Sequence, residues 1–213
     1  MKRSILLGLV LGAACLVTVA PAFGAATLTV NNSAAMNGTT FGLQVALNGA
    51  AGGPAYVQDA TPANEATFKA LFWLQPRTLN NGGVEKEHTI YSIHNPLDGV
   101  AVMRVDMRKL AGGTVRVRGV CRLDSTTYVR TNFISLGTAG SEPERQIVAE
   151  WAAGAGTGFC RITRQANGAT LTEELTGLDN DTYSIRRARL GAVVGIDAGL
   201  SGNYDLDQYE SFR

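Results

Sequence analysis

The sequence predicts an all-β protein, one antiparallel sandwich of two sheets made from about twelve short strands. Three observations carry that expectation. From Phe41 onward apolar and polar residues alternate with the two-residue period of a strand whose faces differ. The alternating runs are separated by clusters of Gly, Asn, Asp and Ser, which turn the chain because they tolerate positive φ or bond their own backbone. No segment carries apolar residues at helical spacing. Composition agrees: 25 of 213 residues are Gly, and a charged fraction of 17% argues against coiled coils and disordered charged tails. A formal net charge of +1 removes the electrostatic case for binding nucleic acid.

In chain order, residues 1–24 read as a signal peptide. Lys2 and Arg3 form the positive start, residues 5–20 are apolar, and Ala20-Pro21-Ala22 and Ala22-Phe23-Gly24 put small residues where signal peptidase needs them. The apolar run falls short of the roughly 20 residues that span a bilayer, and turn formers follow it, so no stable membrane span is expected after cleavage. Residues 25–213 are expected to form a single domain, secreted, periplasmic or held at the cell surface. Removing Lys2 and Arg3 leaves 17 basic residues against 18 acidic ones, so the sign of the net charge reverses.

The predicted strands are 41–47, 55–59, 66–74, 88–94, 100–107, 114–123, 127–135, 146–152, 159–164, 169–175, 184–193 and 203–212. Alternation justifies each, and it is plainest in Phe68, Ala70, Phe72 and Leu74 and in Val115 and Val117 set between Arg116 and Arg118. The stops between them are Asn80-Asn81-Gly82-Gly83, Ala111-Gly112-Gly113, Leu123-Asp124-Ser125-Thr126 and Leu178-Asp179-Asn180-Asp181. Gly154-Ala155-Gly156-Thr157-Gly158 reads as a flexible turn, because a strand rather than a helix follows it and a phosphate loop needs a helix N-terminus.

Cys121 and Cys160 lie beyond the signal peptide. Alternation turns both inward, Cys121 with Val115 and Val117, and Cys160 with Ile162. Two inward thiols in an exported chain are expected to pair, a bridge that stabilises by roughly 4 kcal/mol through loop closure. The alternative, a catalytic thiol, lacks a base in any recognisable motif, since only His88 and His94 are present.

One meander can be put in register. With Ala111-Gly112 at the centre of its first turn, Asp106 faces Arg116 and Val102 faces Val120 outside, while Met103 faces Gly119 and Val105 faces Val117 inside. The next turn, near Ser125, sets Cys121 beside Val129 and Val117 beside Phe133 inside, with Arg122 beside Tyr128 and Arg118 beside Asn132 outside. Arg104, Arg116, Arg118, Arg122, Tyr128 and Arg130 then share one outward face, with Arg104 opposite Arg118 in a repulsive pair that an anion would relieve. Guanidinium forks match carboxylates and sulfates, so this face is a candidate platform for an acidic glycan. A solvated face that keeps the sheet soluble is the competing reading.

No catalytic residue is assigned. Asp205-Leu206-Asp207-Gln208-Tyr209-Glu210 is similar to the Glu-x-Asp-x-x-Glu signature of retaining β-glucanases, in which two Glu act as nucleophile and acid, but here Asp205 holds the first position. The two His lack metal-ligand spacing, and no serine has an elbow signature around it. Asn37-Gly38-Thr39 and Asn180-Asp181-Thr182 fit the glycosylation pattern.

Ile185-Arg186-Arg187-Ala188-Arg189-Leu190-Gly191, followed by Gly202-Asn203-Tyr204-Asp205-Leu206-Asp207-Gln208-Tyr209-Glu210-Ser211-Phe212-Arg213, resembles the closing strands of bacterial laminin-G-like jelly rolls of the concanavalin A-like class. Phe41-Gly42-Leu43-x-Val45, Asp59-x-Thr61-Pro62-x-x-Glu65, Trp151 and Gly177-Leu178-Asp179-Asn180 extend the resemblance over nearly all of 25–213. It implies a jelly roll that recognises glycans or surface proteins without a cofactor, apart from a structural calcium for which Asp207 is the matching ligand. The expectation is therefore a non-catalytic recognition or cell-envelope protein. The alternative is a carbohydrate-active enzyme, a β-glucanase-like hydrolase or a polysaccharide lyase.

Overall fold

The computed structural model describes residues 24–96, 99–141, 143–166 and 168–213, so the signal-peptide expectation lies outside it except for Gly24. The described residues form fourteen strands: β1 (Ala26–Asn31), β2 (Gly42–Asn48), β3 (Ala55–Asp59), β4 (Thr67–Pro76), β5 (Lys86–His94), β6 (Ala101–Lys109), β7 (Thr114–Arg122), β8 (Tyr128–Arg130), β9 (Ile134–Thr138), β10 (Arg145–Ala152), β11 (Ala155–Ala166), β12 (Ala169–Asp179), β13 (Arg187–Val194) and β14 (Ser201–Phe212). One short 3-10 turn at Asn32–Ala34 is the only helical element among the described residues. Sheet I runs β1-β2-β14-β4-β10-β11-β12, and sheet II runs β3-β13-β5-β6-β7-β8 with β9 also pairing β7. The pairings are antiparallel, and the fold is a jelly-roll sandwich of the expected class.

Alternation decides which side chains meet between the sheets. Phe72, Leu74, Ile147, Trp151, Ile162, Tyr204 and Leu206 come from sheet I, and Tyr91, Ile93, Met103, Val105, Met107 and Val117 from sheet II, all at most 1% exposed. Each large apolar side chain removed from water contributes roughly 1.5–3 kcal/mol before its ordering cost. Cys121 of β7 and Cys160 of β11 are bonded across this core with Cα atoms 6.4 Å apart, so the bridge ties one sheet to the other. Among the described residues no helix is long and apolar enough to cross a membrane.

The structure holds two more strands than the sequence predicts. β1 was not anticipated, and the run 127–135 divides into β8 and β9. At the division the Thr131 hydroxyl accepts a hydrogen bond from the Gly119 amide, so a side chain takes the place of a ladder carbonyl. Beyond it Ile134, not Phe133, pairs with Val117, and Phe133 turns outward, which corrects the expectation that Phe133 is inside.

The first turn of the meander is also displaced. Leu110 and Gly113 close it, with Gly113 at φ +91°, which moves its centre one residue along the chain. Partners therefore shift by two: Met103 faces Cys121, Val105 faces Gly119, Arg104 faces Val120, Asp106 faces Arg118 and Arg108 faces Arg116. A shift of two keeps every side chain on its expected face. Arg104 and Arg118 are consequently not opposed, while Cys121 beside Val129 and Arg122 beside Tyr128 stand as expected.

Candidate functional site

The outer face of sheet II carries all six residues expected of the platform, yet it divides into two chemically different halves. In the first half Phe133 receives three guanidiniums, with Arg108, Arg116 and Arg118 at 4.7, 4.4 and 4.5 Å from its ring centre. Their charges are met nearby: Glu87 accepts from Arg108 at 2.6 Å and from Arg118 at 2.8 Å, and Glu85 pairs with Arg108 and Arg116. Burial raises the Glu87 carboxyl pKa, but the Arg108 and Arg118 contacts outweigh it and hold the group below its ordinary value. Asp106, facing Arg118, accepts from Thr89 Oγ1 at 2.7 Å, and burial lifts its pKa above the usual value. Arg116 and Arg118 thus belong to a stacked, charge-paired cluster.

The second half is a depression of about 310 Å³ lined by Tyr56, Ser92, His94, Arg104, Tyr128 and Arg189, with flanking small and apolar residues. Strand register explains the assembly. Arg189 of β13, Ser92 of β5 and Arg104 of β6 are consecutive partners, so they form one row across three strands. Each guanidinium lies over a tyrosine: Arg104 is 4.8 Å from the Tyr128 ring centre and Arg189 is 4.5 Å from that of Tyr56. Gln58 accepts from Arg189 Nε at 3.0 Å, and the Tyr128 hydroxyl donates to the Ala101 carbonyl at 3.1 Å, which hold those side chains in place.

His94 sits two residues from Ser92 and hence on the same face. Its Nδ1 lies 2.7 Å from the Gly99 carbonyl oxygen, which can only accept, so Nδ1 carries the proton. Nε2 lies 2.8 Å from Ser92 Oγ, in hydrogen-bond contact with it. The depression therefore has an imidazole and a hydroxyl, both buried at its floor, between two cations. Of the expected platform residues, Arg104 and Tyr128 build this pocket, Arg122 lies 5.1 Å from the Tyr183 ring centre beyond it, and Arg130 is exposed on β8.

Sequence reasoning missed Tyr56, Ser92, His94 and Arg189. Alternation in Ser92-Ile93-His94 does put Ser92 and His94 on one face, a usable signal. Nothing local says that β13 lies beside β5, which is what brings Arg189 to them.

The C-terminal carboxylates take no part in this site. Asp205, 1% exposed, pairs with Arg77 at 2.6 Å. Asp207 accepts from the Met36 amide at 2.7 Å, from the Thr39 hydroxyl and from the Gln208 amide, so its oxygens hold the loop over β14. That is a structural role for the carboxylate. Glu210 is exposed on sheet I. The three carboxylates have three separate surroundings, and the β-glucanase-like arrangement is not formed. Asp124, Asp179 and Asp181 bring carboxylate oxygens within 4.8 Å of one another, a grouping that could hold a cation, although Asp124 already accepts from Thr182 Oγ1. The 154–158 segment is not the expected flexible turn. It opens β11 through a bulge, and Asn180, fully buried, accepts from the Gly154 amide and donates to the Ala152 carbonyl, which removes that amide from any glycosylation.

No protein-family model matches the chain, and no curated protein matches it in sequence. Among solved structures the chain is similar to the cellulose-induced protein Cip1, at 12% identity over 88% of this chain and 85% of that one, with a TM-score of 0.53. It is similar to a variant of alginate lyase A1-II′ at 11% identity over 81% and 79%, with a TM-score of 0.52. A third similar structure is an alginate lyase from Pseudomonas aeruginosa, at 10% identity over 81% and 82% and a TM-score of 0.50. At these identities the likeness is one of fold.

Proposed function

We propose that residues 25–213 form an exported carbohydrate-active domain that takes an acidic polysaccharide across the outer face of sheet II. The observation that supports this is the row Arg189, Ser92, Arg104, in which two tyrosine-backed guanidiniums flank the His94–Ser92 pair buried at the floor of the depression. Guanidinium forks match uronate carboxylates, and the tyrosine rings fix the forks at low entropy cost. The likeness in fold to two alginate lyases agrees with this substrate class. The laminin-G-like resemblance of the closing strands fits the same role in recognition.

A second reading, cleavage of the polysaccharide by elimination, is favoured by the position of His94 beside Arg104 and Arg189 in one depression. Elimination needs a base for the proton α to the uronate carboxylate, a cation against that carboxylate and a proton for the departing glycosidic oxygen. Arg104 or Arg189 supplies the cation, and His94 is the imidazole in the pocket. Calorimetry of the exported chain with polyuronates and with a neutral glucan tests the first reading. Binding is expected only to the polyuronates, and Arg104→Ala and Arg189→Ala each weaken it by about 1.5–3 kcal/mol, the worth of a charge-assisted hydrogen bond. Equal binding of the neutral glucan overturns it. An unsaturated uronate appearing in the ultraviolet spectrum adds the elimination step, and binding without that product leaves a recognition domain.

A further inference from the structure

His94 Nε2 lies 2.8 Å from the Ser92 hydroxyl, so a neutral imidazole there is placed to draw a proton from Oγ. Gly99 O holds the far side of the ring, as an orienting acceptor does in a nucleophile–base–orienter chain. Both neighbours of Ser92 in its sheet row are arginines, at the strand spacing of about 4.8 Å. The oxyanion that develops on the carbonyl oxygen of an ester attacked by Ser92 would form beside two positive charges. A hydroxyl merely satisfying its hydrogen bond needs none of this surrounding.

We propose that Ser92 is a nucleophile that takes an acyl group from an ester, so that the pocket is a deacylating site for a short acyl ester such as an O-acetyl group. The assignment of the nucleophile stands on its own geometry; only the identity of the alcohol, a sugar of an acidic polysaccharide, rests on the function proposed above. Ser92 Oγ adds to the ester carbonyl as His94 Nε2 takes its proton. The bond from carbonyl carbon to alcohol oxygen then breaks, and the departing oxygen takes that proton from the imidazolium. Water adds to the acyl-serine with its proton passing to Nε2, the carboxylic acid departs, and Ser92 Oγ regains the proton. No redox partner is required.

The test uses the exported chain with p-nitrophenyl acetate as substrate and a fluorophosphonate as a serine-directed probe, with the adduct located by peptide mass. The expected result is one adduct per chain, on Ser92, and ester hydrolysis that falls about a hundredfold or more in Ser92→Ala and in His94→Gln. Polyuronate binding and the thermal unfolding midpoint are measured on the same variants. Ser92→Ala that keeps its fold while losing hydrolysis supports the proposal. Hydrolysis unchanged in Ser92→Ala, or no adduct on Ser92, overturns it. An adduct on Ser92 in a chain that does not bind polyuronate upholds the nucleophile and overturns only the glycan reading.

Discussion

His88 is 2% exposed within the sandwich, where its Nε2 meets the Tyr204 hydroxyl at 3.1 Å. Burial is the main cause that lowers its pKa to about 4, and the charge of Glu87 opposes this only in part. Because the folded value lies below the unfolded one of about 6.5, the unfolded chain binds the proton more readily at intermediate pH. The stability tied to neutral His88 is therefore full above about pH 6.5 and declines as pH falls towards 4, by roughly 3 kcal/mol in all. Urea unfolding across that window should show this slope, and His88→Gln should flatten it. An equal slope in the variant would mean that other groups carry the effect. His94, six residues along the same strand, has the opposite use. It faces the outer depression, with Nδ1 on the Gly99 carbonyl and Nε2 beside the Ser92 hydroxyl. The sequence offers two histidines without motif spacing, and only the strand face separates a packed imidazole from one set for chemistry.

At the scale of elements, register rather than composition sorts the arginines. β7 carries Arg116, Arg118 and Arg122 on one face, as alternation predicts, but the displaced turn at Leu110–Gly113 brings Asp106 against Arg118. The break at Thr131 frees Phe133 to turn over the three guanidiniums. Arg116 and Arg118 of the expected platform are thereby consumed within the sheet, while Arg104 over Tyr128 and Arg189 over Tyr56 line the depression. β13 contributes through Gly191, whose φ is +135° and whose added Cβ would lie 2.5 Å from the Ala55 carbonyl oxygen. That close approach lets β3 lie against β13 and brings Tyr56 beside Arg189. Gly191→Ala should cost about 2 kcal/mol or more and weaken polyuronate binding along with it. Chemical denaturation and calorimetry on the one variant check both; an unchanged midpoint would show that the strands adjust. The fold class, the faces of the strands and the inward thiols were legible because each depends on residues close in sequence. The pairing of β13 with β5 was not, since it joins segments about a hundred residues apart through backbone bonds that carry no side-chain signature.

For the whole molecule the disulfide connects the two sheets through a loop of 39 residues. Its removal in a Cys121→Ala, Cys160→Ala double variant should lower stability by about 4 kcal/mol, chiefly by enlarging the unfolded ensemble. The unfolding midpoint in denaturant reads this directly, and reduction of the parent chain should reproduce it; a double variant as stable as the parent would assign the cohesion to the apolar core alone. The sandwich isolates its two outer faces from each other. Sheet I exposes a ladder of alternating charge, Lys69, Glu150, Arg161 and Glu174, paired strand to strand, while sheet II holds the depression with the Ser92–His94 pair. Local alternation and turn chemistry suffice to determine an all-β sandwich, its inward cysteines and an arginine-bearing outer face. Tertiary structure alone decided which arginines are spent on glutamates and which stand over tyrosines beside Ser92. That choice depends on turn centres, bulges and strand neighbours, where a one-residue change moves a charge to a new partner without altering the pattern of the sequence.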